Sequence, residues 1–318
     1  MRLADYLKSD NILGFAFTKY KVIRGVPYIS RKPVVVFFVK QKLPMSEVPK
    51  EFQIPPTYAG LLTDIIETTQ PTSLIPPIRP PTAGLQTDRF RPVLAGISGA
   101  GETSTACTIT GFFGDPHTGN VYIVTAGHCA GRIDWSCEIN GSVGKRFLQP
   151  SPIDGGILPN DVIGTVAWVS QFATNMSEDL ALVMPNPGLE WRNILAGLRI
   201  TFNGEMRNPG FEDIGRSILK SGRTTGTTIG RIYAVGGMVK IYYGACGTNV
   251  VSPVVVTTKM IERGDSGAPA IDFNGTFYGV FIGTSSDYSF FVPASKVAEK
   301  GLLPIRETTY IERLEFKI

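Results

Sequence analysis

A mainly β fold is what this chain predicts, on three observations: an excess of Gly and Pro, short β-branched apolar runs, and turn residues between those runs. Thirty-five Gly and 23 Pro in 318 residues are too many to sit inside long helices. The apolar runs, such as Pro33 to Val39 and Val250 to Val256, have the length and composition of buried strands. Segments such as Val121 to Thr125, Asp161 to Val169, Leu180 to Met184 and Thr228 to Val235 are punctuated by Gly, Pro or Asn-Gly, the rhythm of barrels or sandwiches.

Composition narrows the function classes. With 43% hydrophobic and 18% charged residues the chain can build a sizeable core. The formal charge is only +4 and no block of five or more Lys/Arg occurs, so nucleic acid is not an expected partner. No apolar run approaches the ~20 residues of a membrane-spanning helix. Asp5, Lys8 and Asp10 break the apolar run a secretory leader would need, so a cytoplasmic location is expected by default. Four cysteines, Cys107, Cys129, Cys137 and Cys246, include no CxxC pair and are joined by only two histidines, which argues against zinc and allows two disulfides. Disulfides in a chain without a leader would point to a thermophile or to a non-standard export route.

Along the chain, Ile12 to Leu43 reads as strands around a turn at Arg24-Gly25-Val26-Pro27, and Gly60 to Ile66 as a further short element. The proline-dense run from Gln70 to Pro81 predicts extended backbone and a linker. Glu190 to Leu198 is where a short helix or a crossover between two β units is expected. The expected organisation is a strand-rich module over 1–69, a linker over 70–90, β units over 91–190 and 191–303, and a tail over 304–318.

Two clusters carry the chemistry. Thr125-Ala126-Gly127-His128-Cys129 ends a strand, and its small residues let another segment approach the imidazole. The other histidine, His117, lies in the polar turn Asp115 to Asn120 and reads as a loop residue. Glu262-Arg263-Gly264-Asp265-Ser266-Gly267-Ala268-Pro269 flanks a serine with glycines, a turn in which the Gly264 and Ser266 N–H groups can converge on one oxygen. Asp179 opens the buried strand Leu180 to Val183, and a half-buried carboxylate needs a partner that an imidazole N–H would supply. Asp154, Asp161 and Glu178 are the alternatives for that role. Nucleophile, base and orienting acid are the parts of acyl transfer.

Thr125 to Cys129, Asp179-Leu180-Ala181-Leu182 and Gly264 to Gly267 resemble the three signature segments of the chymotrypsin or trypsin family, in its order of His, Asp, Ser and with similar separations of 51 and 87 residues. The likeness covers roughly Arg91 to Leu303. Within the family, Phe15 to Pro44, Gln149 to Gly156 and Lys220 to Gly226 are similar to microbial trypsin-like proteins related to the plant narrow-leaf protein, although Gly-His-Cys departs from that branch toward secreted peptidases.

The resemblance implies two six-stranded antiparallel β-barrels after the N-terminal module, with a protein or peptide substrate in the cleft between them. It implies a serine endopeptidase with His128, Asp179 and Ser266 as its triad, Gly264 and Ser266 as the oxyanion hole, a Cys107–Cys129 disulfide beside the histidine, and no cofactor. Cys137 and Cys246 are left as the second pair. The substrate pocket is expected at Met260, where basic-specific relatives carry a carboxylate, and along Ile282 and Gly283; Asp287 is a rival lining group. Arg91-Pro92 makes tryptic activation there unexpected, so Asp265 is not expected to await a new N-terminus. The rival readings are a catalytically silent scaffold or peptide-binding protein that kept the fold, and a self-processing or assembly peptidase. The N-terminal module would gate the cleft, bind a partner or mediate homo-oligomerisation.

Overall fold

The computed structural model describes residues 1–23, 26–73, 85–104 and 106–307. Its strands fall into two main sheets, joined by a two-stranded parallel pair. The first sheet runs in the spatial order Leu303–Pro304, Gly111–Gly114, Val121–Thr125, Ala181–Pro185, Val162–Val169, Arg146–Leu148 and Ala100–Gly101, every neighbour antiparallel. A bridge between Ser98 and Thr108 draws its far edge back toward Gly111–Gly114.

In the second sheet Ser217–Gly222, Gly226–Tyr242, Thr248–Thr258, Tyr288–Pro293, Phe277–Thr284 and Pro269–Ile271 pair antiparallel in turn, and the last returns to the first through Leu219 and Ile271. That ring of six strands has no free edge along its paired length. Its interior holds Ile218, Ile232, Val255, Ala270, Phe281 and Phe291, nearly all contributed by β-branched or aromatic positions that alternate along the strands.

The N-terminal strands are not a separate body. Ile12–Ile23 and Val26–Val39 form the expected hairpin, and the first of them pairs with the far half of the long strand Gly226–Tyr242 through Gly14–Val239 and Phe15–Met238. Leu61–Glu67 then lies parallel to Val26–Val39. Arg24 and Gly25 of the expected turn lie outside the described residues, as do residues 74–84 of the expected linker and 308–318 of the expected tail.

Three segments differ in detail from their expected roles. Residues 70–73 are docked rather than free linker: Thr72 bridges both Tyr242 and Thr284. Of the short helix or crossover expected over Glu190 to Leu198, the helix is absent; Trp191–Leu195 is a strand between the two main sheets, paired parallel with Val93–Ala95, and Trp191 stacks on Phe112 with ring centroids 4.5 Å apart. Residues 304–307 return to the first sheet, where Pro304 pairs with Phe113 and Glu307 binds Arg192 at 2.6 Å. Burial of aromatic surface on Trp191 and the charge-assisted contact at Glu307 favour these returns over solvated segments.

Candidate active site

The register of the first sheet builds half of the site. Thr125 is opposite Ala181 in an antiparallel pair, so the residues just after Thr125 must lie beside those just before Ala181. His128 and Asp179 are therefore brought together. Asp179 Oδ1 accepts the His128 backbone N–H at 2.9 Å, and Oδ2 lies 2.7 Å from the ring Nδ1. Gly127 is what permits this approach, because a Cβ there would stand 2.8 Å from Asp179 Oδ1 and 2.7 Å from Ser170 Oγ. Both side chains are buried, and among the described residues His128 Nε2 has no hydrogen-bond partner.

Sequence reasoning missed a third member of this group. Tyr243 is fully buried and donates its hydroxyl to Asp179 Oδ2 at 2.9 Å. Burial first, then the neighbouring carboxylate, pushes the Tyr243 hydroxyl well above its ordinary value, so it stays a protonated donor. The rival acids are engaged elsewhere: Asp154 with Arg223, Asp161 with Arg89 at 2.7 Å, and Glu178 with Lys300 at 2.7 Å. His117 is exposed in a turn capped by Asp115.

Ser266 comes from the turn that follows Thr248–Thr258. Its carbonyl accepts the Thr108 N–H at 2.8 Å, while the Thr108 and Thr110 hydroxyls donate to the carbonyls of Gly264 at 3.0 Å and Gly267 at 2.6 Å. Tying these carbonyls back to the first sheet leaves the Gly264 and Ser266 N–H groups without a partner among the described residues. Gly267, at φ +90°, has no room for a side chain, since a Cβ would lie 2.0 Å from Thr108 O. Cys129 Sγ sits 3.6 Å from Ser266 O, so the serine turn and the histidine turn abut.

Cys107 and Cys129 form a disulfide, as do Cys137 and Cys246. The Cys107, Cys129 and His128 donor atoms fall within 4.8 Å of one another, but the two sulfurs are bonded to each other, so the cluster is a cross-link packed on an imidazole rather than a metal donor set.

Asp265 is tied on every side. Lys220 Nζ lies 3.2 Å from its Oδ2 with both side chains fully buried, the Thr224 and Thr225 N–H groups reach Oδ1 at 2.8 and 3.1 Å, and the Glu262 N–H reaches Oδ2 at 3.0 Å. Burial lowers the Lys220 amine from its ordinary value, against the pull of Asp265. Lys220 to Gly226, singled out as a substrate contact or a turn, is thus the hairpin that holds this carboxylate.

The residues expected at the substrate pocket lie on and beside the second sheet. Met260 is buried in the cluster that includes Ile232, Phe281 and Phe291, with its sulfur over Gly230. Ile282 is fully buried in a cluster with Ile241 and Tyr243. Both are packed side chains of the second sheet and its flank. Gly283 faces Thr72 and Ser73. Asp287 is bound by Thr68 at 3.1 Å and by Ser286.

No family model matches this sequence, and no curated protein matches it. Solved structures do. A glutamic acid specific serine protease described as using a histidine triad in substrate binding is similar over 67% of this chain and 100% of its own, at 24% identity and a TM-score of 0.50. A chymotrypsin from Cellulomonas bogoriensis and Protease A from Thermobifida fusca each share 25% identity over 67% of this chain and 98% of theirs, with TM-scores of 0.47 and 0.48. With its antiparallel six-strand ring and the matching first sheet, the chain has the fold of the chymotrypsin-like serine peptidases.

Proposed function

We propose that the chain is a serine endopeptidase. The observation that carries this reading is the two-point grip of Asp179 on His128, at backbone and ring, which fixes the imidazole and leaves a buried Nε2 without a partner among the described residues, on a turn that abuts the Ser266 turn. In this reading the Ser266 hydroxyl attacks a peptide carbonyl while Nε2 takes its proton. The oxyanion is held by the Gly264 and Ser266 N–H groups, and the imidazolium, stabilised by Asp179, returns the proton to the leaving amine. Water then attacks the acyl-enzyme by the same path in reverse. Tyr243 is a positioning residue that keeps Asp179 in place.

The test is hydrolysis of a proteome-derived peptide library by the intact chain and by Ser266→Ala, together with fluorophosphonate labelling. Labelling and cleavage that vanish in Ser266→Ala, with a loss of about 10³-fold or more, support the reading. A chain that neither labels nor cleaves is the silent scaffold instead.

A further inference from the structure

The strand Phe277–Thr284 is paired laterally with the Ser266 turn: Gly267 N–H donates to Phe281 O at 2.8 Å and Phe281 N–H donates to Ala268 O at 3.0 Å. One edge of this strand is paired with Tyr288–Pro293 as far as Thr284. The other is paired with Pro269–Ile271 only between Phe277 and Val280. Past Val280 the backbone groups of Ile282 and Thr284 would form a short open edge running away from Ser266. An open edge beside a nucleophile is where an extended peptide adds as one more strand.

In this chain that edge is already taken, by the chain itself. Thr72 N–H donates to Thr284 O at 2.9 Å and Thr284 N–H donates to Thr72 O at 3.1 Å, a closed antiparallel pair. Ser73 Oγ donates to Ile282 O at 2.5 Å. The segment's other side is held by Tyr242, whose N–H reaches Pro71 O at 2.9 Å and whose carbonyl accepts the Ser73 N–H at 3.1 Å. From Thr72 to Ser73 the chain moves from the level of Thr284 to that of Ile282, toward Phe281 and so toward Gly267 and Ser266. The carbonyl that holds the Ser73 N–H belongs to Tyr242, the residue before Tyr243, whose hydroxyl holds Asp179.

The segment is fastened from upstream as well. Thr68 Oγ1 binds Ser285 Oγ at 3.0 Å, the Ser286 N–H donates to Thr69 Oγ1 at 2.8 Å, and Gln70 Nε2 donates to Lys240 O at 2.9 Å. Thr68 itself directly follows Leu61–Glu67, a strand of the N-terminal sheet. The N-terminal strands thereby deliver Pro71–Ser73 to the cleft.

We propose that Pro71–Ser73 is a built-in occupant of the substrate-binding edge, so that the N-terminal strands restrain the peptidase by filling the place of an incoming peptide on the acyl side of the scissile bond. The proposal rests on the serine peptidase reading. Peptides reaching several residues along the edge must displace the segment, whereas a small reagent that needs only Ser266, His128 and the oxyanion donors need not.

The experiment compares the full chain with Thr72→Pro, which loses the N–H given to Thr284, and with Ser73→Ala, which loses the hydroxyl given to Ile282. A fluorophosphonate reports the nucleophile. An apolar tetrapeptide anilide and a single-residue ester report occupancy of the edge. The expected result is similar labelling of all three proteins, an unchanged KM for the ester, and a tetrapeptide KM lowered about tenfold in Thr72→Pro and several-fold in Ser73→Ala, the scale of one or two hydrogen bonds. Normal labelling with the same tetrapeptide KM in all three overturns the proposal while leaving the peptidase reading intact. Absence of labelling overturns both. If circular dichroism shows Thr72→Pro unfolded, Ser73→Ala decides alone by the same criterion.

Discussion

Tyr243 Oη and His128 Nδ1 converge on one oxygen: Asp179 Oδ2 accepts the tyrosine at 2.9 Å and lies 2.7 Å from the imidazole. A carboxylate held from two sides cannot rotate away when the histidine turns over protons. Tyr243→Phe removes one charge-assisted bond, worth about 1.5–3 kcal/mol, without opening space. The expected outcome is a kcat lowered roughly three- to thirty-fold with KM nearly unchanged, measured on a short ester substrate. A purely structural role would lower the melting temperature and leave kcat of the folded enzyme alone.

The fold class was legible because Gly, Pro and β-branched residues act locally, and local preferences agreed with the final sheets. The meeting of His128 with Asp179 was legible because each sits a fixed few residues from a strand end, and antiparallel pairing turns that offset into proximity. Tyr243 and Lys220 were not, since their partners lie 64 and 45 residues away and nothing in their own neighbourhoods marks them as anything but strand residues. The burial of Met260 and Ile282 was not legible, because which face of a strand turns inward depends on bulges and barrel register. The long strand Gly226–Tyr242 shifts register with its partner three times. Docking of Gln70 to Ser73 was hidden by a proline-dense composition that reads as linker.

The two disulfides should respond differently to reductant. Cys107 and Cys129 are buried under the site, whereas Cys137 is exposed, so mild thiol treatment is expected to open Cys137–Cys246 first. Loop-closure entropy favours the bridge spanning 109 residues over that spanning 22, about 5 against about 3 kcal/mol. Thermal unfolding of Cys137→Ser/Cys246→Ser should therefore show the larger drop in midpoint. Peptide mapping of partly reduced protein checks the order of opening.

Alkaline stability should fall before activity is lost for other reasons. Burial pushes Tyr288 up to about 12 and raises Tyr243 as well, while tyrosines in an unfolded chain ionise near 10. Between those values the unfolded state has released protons that the folded state keeps, so stability is complete below about pH 10 and is lost as the pH climbs toward 12. Urea unfolding at intervals from pH 9 to 12 should show this decline. Tyr288→Phe should make it shallower by up to one proton, and an unchanged slope would remove Tyr288 from the account.

Lys220 and Asp265 form a fully buried pair one residue from the nucleophile, with Nζ 3.2 Å from Oδ2. An aspartate next to a catalytic serine must have its charge met, or the turn that presents the oxyanion donors relaxes toward solvent. Here the cation is a side chain already in the sheet. Removing one partner strands the other charge in the interior, at a cost of about 3–5 kcal/mol. Lys220→Met is expected to lower both the unfolding midpoint and kcat, and Asp265→Asn to do the same. The double variant should recover much of the stability lost by Lys220→Met, because no uncompensated charge remains, giving a coupling of a few kcal/mol in the cycle. Acetylating the chain's N-terminal amine should leave hydrolysis unchanged. Additive losses in the double variant, or inactivation by acetylation, would show that Asp265 takes its counter-charge from somewhere other than Lys220.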